Sequence, residues 1–269
     1  MGWPNVPPLR EIGNNAYNPY GAYNRIFHTY YPTEQERNSA VEALPYIASE
    51  SFNHQRMDDR SGGQFTYVRK PAYYAAFNAG PRHETRQVFG LGLLWHPVAG
   101  IMLSSQTEST ASTSLRDLSW GTRTGSERLY ENRTLQPAYA INGTAVTPTV
   151  GKQDLVEGDL EVRYALGSSG EKTVTFEEDG IEVDIVHQGT FTEHFPLMVG
   201  PADILDIEPG KATLTRGSVA LEIAFDEDAV VQVQDKQHGI YEYRLHMLTL
   251  QASEELGYSI KLIASGPQA

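Results

Sequence analysis

The run from Lys172 to Val199, "KTVTFEEDGIEVDIVHQGTFTEHFPLMV", alternates apolar and polar residues with a period of two on both sides of an Asp-Gly pair. That period places successive side chains on opposite faces of a strand, so the run folds as sheet with one face buried. Asp179-Gly180 suits a tight hairpin, because both central residues of such a turn need positive φ. The rhythm continues in "KATLTRGSVALEIAFD", two strands around Arg216 and Gly217, and in "AVVQVQDKQHGIYEYRLHMLTLQA", a strand, a turn near Lys236 to Gly239 and a long strand. "YSIKLIAS" supplies a last strand. These connections are hairpins, not the helical crossovers of a parallel sheet.

Upstream, Phe65 to Val68, Tyr73 to Ala79, Val88 to Trp95 and Ile101 to Ser105 read as further strands, roughly a dozen in all. The expected fold is an all-β, large antiparallel β-sandwich of two stacked sheets, spanning residues 63–269, with a short helical N-terminal segment. The segment from Thr110 to Thr149 is weakly patterned and rich in Ser, Thr and Gly, which predicts long loops.

Residues 1–62 differ in kind, being rich in Asn, Tyr and Pro, and read as an extension or connector with one helix. In "TEQERNSAVEAL" Thr33 is the N-cap and Glu36 completes a capping box, bounded by Pro32 and Pro45. Ala40, Val41 and Leu44 share one side of it. "MDDRSGG" reads as a linker before the sheet. The start has no positive run followed by an apolar one, and suits either a free-standing chain or a fragment lacking an upstream domain.

A net charge of −13 opposes general affinity for nucleic acid or an anionic membrane surface. The absence of cysteine removes disulfides, thiol catalysis and thiolate metal sites and leaves the compartment open. Against that acidic background, Arg60 to Gly90 carries Arg60, Arg69, Lys70, Arg82 and Arg86 and a single acid, Glu84, so the balance there is 5 − 1 = +4.

The densest part is "GPRHETR", joining two apolar strands. Arg82 and Arg86 can hold a carboxylate or sulfate, and His83 can move a proton near neutral pH, with Glu84 between them. The competing reading is a solvated hairpin tip. Tyr73 and Tyr74 precede the segment and point to opposite faces of their strand, so only one can be fully buried. The exposed one could stack on a sugar ring or act as acid or base, and strands are also rich in Tyr for packing alone.

His187, Glu193 and His194 invite a metal, but they lack the ligand spacing of a known site, and outward-facing polar residues account for them more simply. No metal and no cofactor is called for. "NRT" at Asn132 and "NGT" at Asn142 match the glycosylation acceptor, which has meaning only in a secreted eukaryotic protein. "GLG" at Gly90 to Gly92 precedes no helix and reads as a place of close packing rather than a phosphate cradle.

Taken together, the short helical lead-in, "FTYVRKPAYYAAFNAG", "GLGLLWHPVAG" and "HQGTFTEHFPLMV" resemble the C-terminal β-sandwich of heparinase II/III-like polysaccharide lyases, over Gln64 to Val199. That resemblance implies an acidic polysaccharide partner, β-elimination at a uronate, and an extracellular or periplasmic location. It also implies an upstream α/α toroid holding most catalytic residues, so that this chain is inactive alone. On this reading His83 and Tyr74 are the catalytic candidates, and Arg82, Arg86, Glu84 and Tyr73 bind substrate. The alternative is a non-catalytic sandwich that binds carbohydrate or packs against another domain, marked by an exposed aromatic platform without convergent acid and base groups.

Overall fold

Period-two alternation becomes strand in nearly every place where it occurs. The computed structural model describes residues 49–81, 89–109, 115–125, 127–128, 134–150, 154–240 and 242–264. The chain divides between Ser49 and Glu50, and the strands described all lie in the second unit, Glu50–Ala269. The N-terminal helix expected at Thr33 lies outside the described residues.

Strands β1 (Phe52–Met57), β2 (Gln64–Arg69), β3 (Tyr74–Pro81), β4 (Gly90–His96) and β5 (Gly100–Ser104) form an antiparallel meander. "MDDRSGG" is therefore the turn of the β1–β2 hairpin rather than a linker: Gly62 N–H donates to Asp58 O, and Ser61 N–H to the Asp58 carboxylate. The sheet begins at Phe52, ahead of residue 63.

β6 (Gln106–Ser109) comes just before the region expected to be long loops, and that region holds β7 (Leu115–Leu118), β8 (Gly121–Thr124), β9 (Glu127–Arg128), β10 (Thr134–Leu135), β11 (Ala138–Ile141) and β12 (Thr144–Val146). Asn142 and Gly143, at φ 47 and 73, make the two-residue turn between β11 and β12, the conformation that Asn-Gly favours.

The remaining strands are β13 (Leu160–Leu166), β14 (Gly170–Phe176), β15 (Gly180–Val199), β16 (Ile204–Glu208), β17 (Lys211–Arg216), β18 (Val219–Phe225), β19 (Val230–Ile240) and β20 (Tyr243–Ala264). All strand pairings are antiparallel, and among the described residues there is no helix, nor any helix long and apolar enough to cross a membrane. The turn expected near Lys236 to Gly239 is instead a register shift within β19.

β15 and β20 pair along their whole length and organise the rest. Their register shifts between Val186 and Thr190, where Gly189 has φ 86 and, on the facing strand, Glu254 has φ 69. On one side of this bulge the ribbon continues through β14, β13, β11 and β12, and through β18, β17 and β16. On the other it continues through β8, β5 and the meander, and through β19. The two arms share one core: Phe77 of β3 packs 6.2 Å from Tyr164 of β13 and edge-on to Phe176 of β14.

Two glycines are dictated by contact. Gly180 opens β15 without a positive φ, and a Cβ there would lie 2.7 Å from the Ile260 carbonyl, so the Asp-Gly pair serves close strand approach rather than the turn conformation expected. Gly90 combines φ 83 with a Cβ position 2.9 Å from the Trp120 ring, which fits the close packing expected of "GLG".

Candidate functional site

Alternation along β1 to β5 sorts their residues onto two faces. Val68, Ala75, Phe77 and Ala79 point into the core. His54, Tyr67, Tyr74 and Trp95 take the opposite face, because His54 is paired with Tyr67 and Tyr74 with Trp95 in register, and Tyr67 sits diagonal to Tyr74.

The rings form a row. His54 stacks on Tyr67 with centroids 6.2 Å apart, and Tyr67 on Tyr74 at 6.4 Å and an interplanar angle of 14°. Exposure rises along it. Phe52, on the same face of β1, is 1% exposed, Tyr67 and Tyr74 are half-buried, and Trp95 and its register partner Ile101 are 37% and 42% exposed.

The charge on these strands is one-sided. β1 to β5 contain no Asp and no Glu, and on the row's face they carry Arg56 and Arg69. In a chain of −13 this is a distinct electrostatic locality. Lys70, counted in the basic stretch of the sequence, is turned inward: it is buried, donates to Gly158 O at 2.7 Å and lies 3.5 Å from the Asp159 carboxylate.

Tyr74 belongs to the row. Burial, helped by the neighbouring Tyr67, pushes its hydroxyl up to about 12, which suits a stacking ring and opposes use as a phenolate base. Tyr73 faces the other way. Its ring is in the core, and its hydroxyl lies 2.7 Å from Glu177 O and 2.9 Å from Gly180 O, tying β3 to the β14–β15 turn. Burial and nearby carboxylates raise its pKa far out of the working range.

Arg82, His83, Glu84 and Arg86 lie outside the described residues. Their segment leaves β3 at Pro81, whereas Tyr74 opens that strand. Seven residue steps at about 3.4 Å each separate the two ends by about 24 Å. Tyr74 and the basic connection are thus anchored at opposite ends of β3.

The His187, Glu193 and His194 set is not an outward polar face. Glu193 is fully buried and is bonded by Lys172, by Thr122 Oγ1 at 2.7 Å and by the Tyr258 hydroxyl at 2.9 Å. His187 is 6% exposed, with Nδ1 3.1 Å from Gly189 O and its ring edge-on to Phe191.

One feature of the tip between β4 and β5 escapes sequence reading. Arg216 Nη1 donates to Ala99 O at 2.9 Å and to Ile101 O at 2.7 Å, its Nη2 donates to Met198 O, and its Nε and Nη2 bond Asp203. The guanidinium also lies 4.4 Å from the centre of the Tyr243 ring. The only hint in the sequence is an arginine beside a hairpin glycine.

No family model matches the chain, and no curated protein matches it. Among solved structures it is similar to a mutant of heparan sulfate lyase HepC from Pedobacter heparinus, at 11% identity and a TM-score of 0.46, covering 80% of this chain and 37% of that one. It is similar to heparinase III, the BT4657 gene product, at 11% identity and a TM-score of 0.47, covering 98% and 43%. A third likeness, to the protein HI1317, has 8% identity and a TM-score of 0.49 over 80% of this chain and 100% of that one. The chain therefore spans less than half the length of the heparinase chains it resembles, and the resemblance is a loose one to part of them.

Proposed function

We propose that this chain is the β-sandwich portion of a carbohydrate-active protein of the polysaccharide-lyase kind, its two arms the stacked leaves of the sandwich, and that the outward face of β1 to β5 binds an acidic polysaccharide. The observation that carries this is the row of His54, Tyr67, Tyr74 and Trp95 on strands that contain arginine and no carboxylate. Flat rings cover the apolar face of a sugar, while Arg56 and Arg69 favour its carboxylate or sulfate groups.

In the lyase reading, Arg82 and Arg86 neutralise the uronate carboxylate. A base removes the proton on the adjacent carbon, the glycosidic C–O bond one carbon further on breaks, and an acid protonates the departing oxygen. His83 is the proposed proton carrier on this chain, with Glu84 beside it, and the remaining catalytic groups come from an upstream α/α domain. The unsaturated product absorbs in the near ultraviolet.

The alternative, a binding module without chemistry, is favoured by Tyr74, whose raised pKa opposes its use as the base. Titrating the chain with uronate polysaccharides and with a neutral glucan tests the shared part. Retention of the acidic polymers, reduced in the Arg82→Ala/Arg86→Ala variant, is expected; equal retention of the neutral glucan, or none of either, overturns it. An ultraviolet absorbance rise that His83→Ala abolishes, with the chain joined to its upstream domain, selects the lyase over the module.

A further inference from the structure

The open end of the aromatic row is the tip of the β4–β5 hairpin. Trp95 is 37%, Val98 75% and Ile101 42% exposed, and they lie together because Trp95 and Ile101 are register partners and Val98 is in the turn that joins them. Large apolar side chains held in water are an unfavourable arrangement for a lone surface, and a grouping of this kind marks a contact site.

The tip is also unusually well fastened for a hairpin end. Inside the turn, His96 Nδ1 accepts from Val98 N–H at 3.1 Å and from Ala99 N–H at 3.3 Å. Outside it, Arg216 ties two of the tip's carbonyls to the end of β15 and to Asp203. β5 meets β15 through the single register pair Leu103 and Leu197, and these side-chain bonds add to that pairing at the tip. A guanidinium with little exposure fixes the place and angle at which the three apolar side chains are displayed.

We propose that Trp95, Val98 and Ile101 form a subsite that stacks one pyranose ring of a polysaccharide by its apolar face, and that Arg216 is the positioning residue that presents it. The subsite rests on the glycan-binding reading above and extends it. Continuity names the occupant: Trp95 stands directly across from Tyr74, so a sugar chain lying on the row runs onto the tip, and the strands beneath carry no carboxylate to repel an acidic polymer.

The contact is apolar, which separates it experimentally from the arginines. Salt screens charge–charge contacts between exposed groups and leaves ring stacking largely intact. Affinity for a uronate polysaccharide would be measured at low and at high salt for the wild-type chain and for Trp95→Ala, Trp95→Phe, Arg216→Lys and Arg82→Ala/Arg86→Ala. Trp95→Ala, a change at an exposed side chain, is expected to weaken binding about tenfold at both salt levels. Trp95→Phe should restore most of that affinity. Arg216→Lys should weaken binding in the same salt-independent way and make Trp95 fluorescence more accessible to a soluble quencher, while its far-ultraviolet dichroism matches the wild type.

If the wild-type chain binds no polysaccharide, the glycan reading itself fails. If it binds and Trp95→Ala binds equally well, the subsite is wrong while the reading stands. If Trp95→Ala weakens binding but Arg216→Lys changes neither affinity nor quenching, the positioning role is wrong.

Discussion

Lys172 and Glu193 are both fully buried and meet across the core as an ion pair, one from β14 and the other from β15 beyond its bulge. Each occupies an inward position that its strand otherwise fills with an apolar residue: Lys172 is in phase with Val174 and Phe176, and Glu193 with Phe191 and Phe195. The ammonium lies 3.5 Å from the centre of the Trp120 ring, Trp120 Nε1–H donates to the Tyr258 hydroxyl at 3.1 Å, and that hydroxyl donates to Glu193. Both charges are thus surrounded by partners, the condition under which a buried pair is tolerated.

Removing one member should be far worse than removing both. Glu193→Leu or Lys172→Met alone leaves a buried charge without its counter-ion and is expected to cost about 3–5 kcal/mol. The double variant Lys172→Met/Glu193→Leu should recover most of that loss. Urea unfolding of the four proteins checks it; a double variant that loses the sum of the two single losses would show that the two charges do not depend on one another.

Tyr73 bonds the β14–β15 turn through its hydroxyl, and phenylalanine would keep its buried ring while removing those bonds. Tyr73→Phe withdraws the donor from Glu177 O and Gly180 O and is expected to cost about 1–2 kcal/mol. The shift of the urea midpoint, with an unchanged slope, measures it.

His96 predicts a pH dependence of the β4–β5 tip. Burial lowers its pKa, and its Nδ1 can accept the Val98 and Ala99 N–H groups only when the ring is neutral. The unfolded chain takes up the proton first, so the contribution is complete above the unfolded value of about 6.5 and is lost as pH falls through the lower folded value. His54 shifts in the same direction, by burial and then by Arg56, so the comparison needed is wild type against His96→Asn. Thermal unfolding between neutral and mildly acid pH should show a smaller pH dependence in the variant.

Gly90→Ala should destabilise the start of β4. Its φ of 83 disfavours any side chain, and the new methyl would meet the Trp120 ring. A loss of about 1–3 kcal/mol is expected, read by denaturant unfolding and by a change in buried tryptophan fluorescence.

Much of the strand set is legible in the sequence because one buried face imposes a period of two, and the hairpin at Arg216 and Gly217 follows from that period together with a glycine at φ 58. The strands between Gln106 and Val146 are harder to read. They are two to four residues long, too short for alternation to register, although the Asn142-Gly143 pair was a usable turn signal. Reading Glu193 as outward polar assumes that a charge faces water, whereas its phase with Phe191 and Phe195 places it inside. The aromatic row is spread over His54, Tyr67, Tyr74 and Trp95, and only the strand register brings these together. The Arg216 clamp joins residues more than a hundred apart in sequence, from Ala99 to Arg216, and no local pattern announces it.

Hydrogen exchange with and without a saturating uronate polysaccharide tests the central claim most directly. Slowed exchange confined to residues 52–104, strongest around the β4–β5 tip, with residues 204–225 unchanged, is the predicted result. Protection centred on residues 204–225, or no protection anywhere at saturation, would contradict the assignment of the glycan face to β1 to β5.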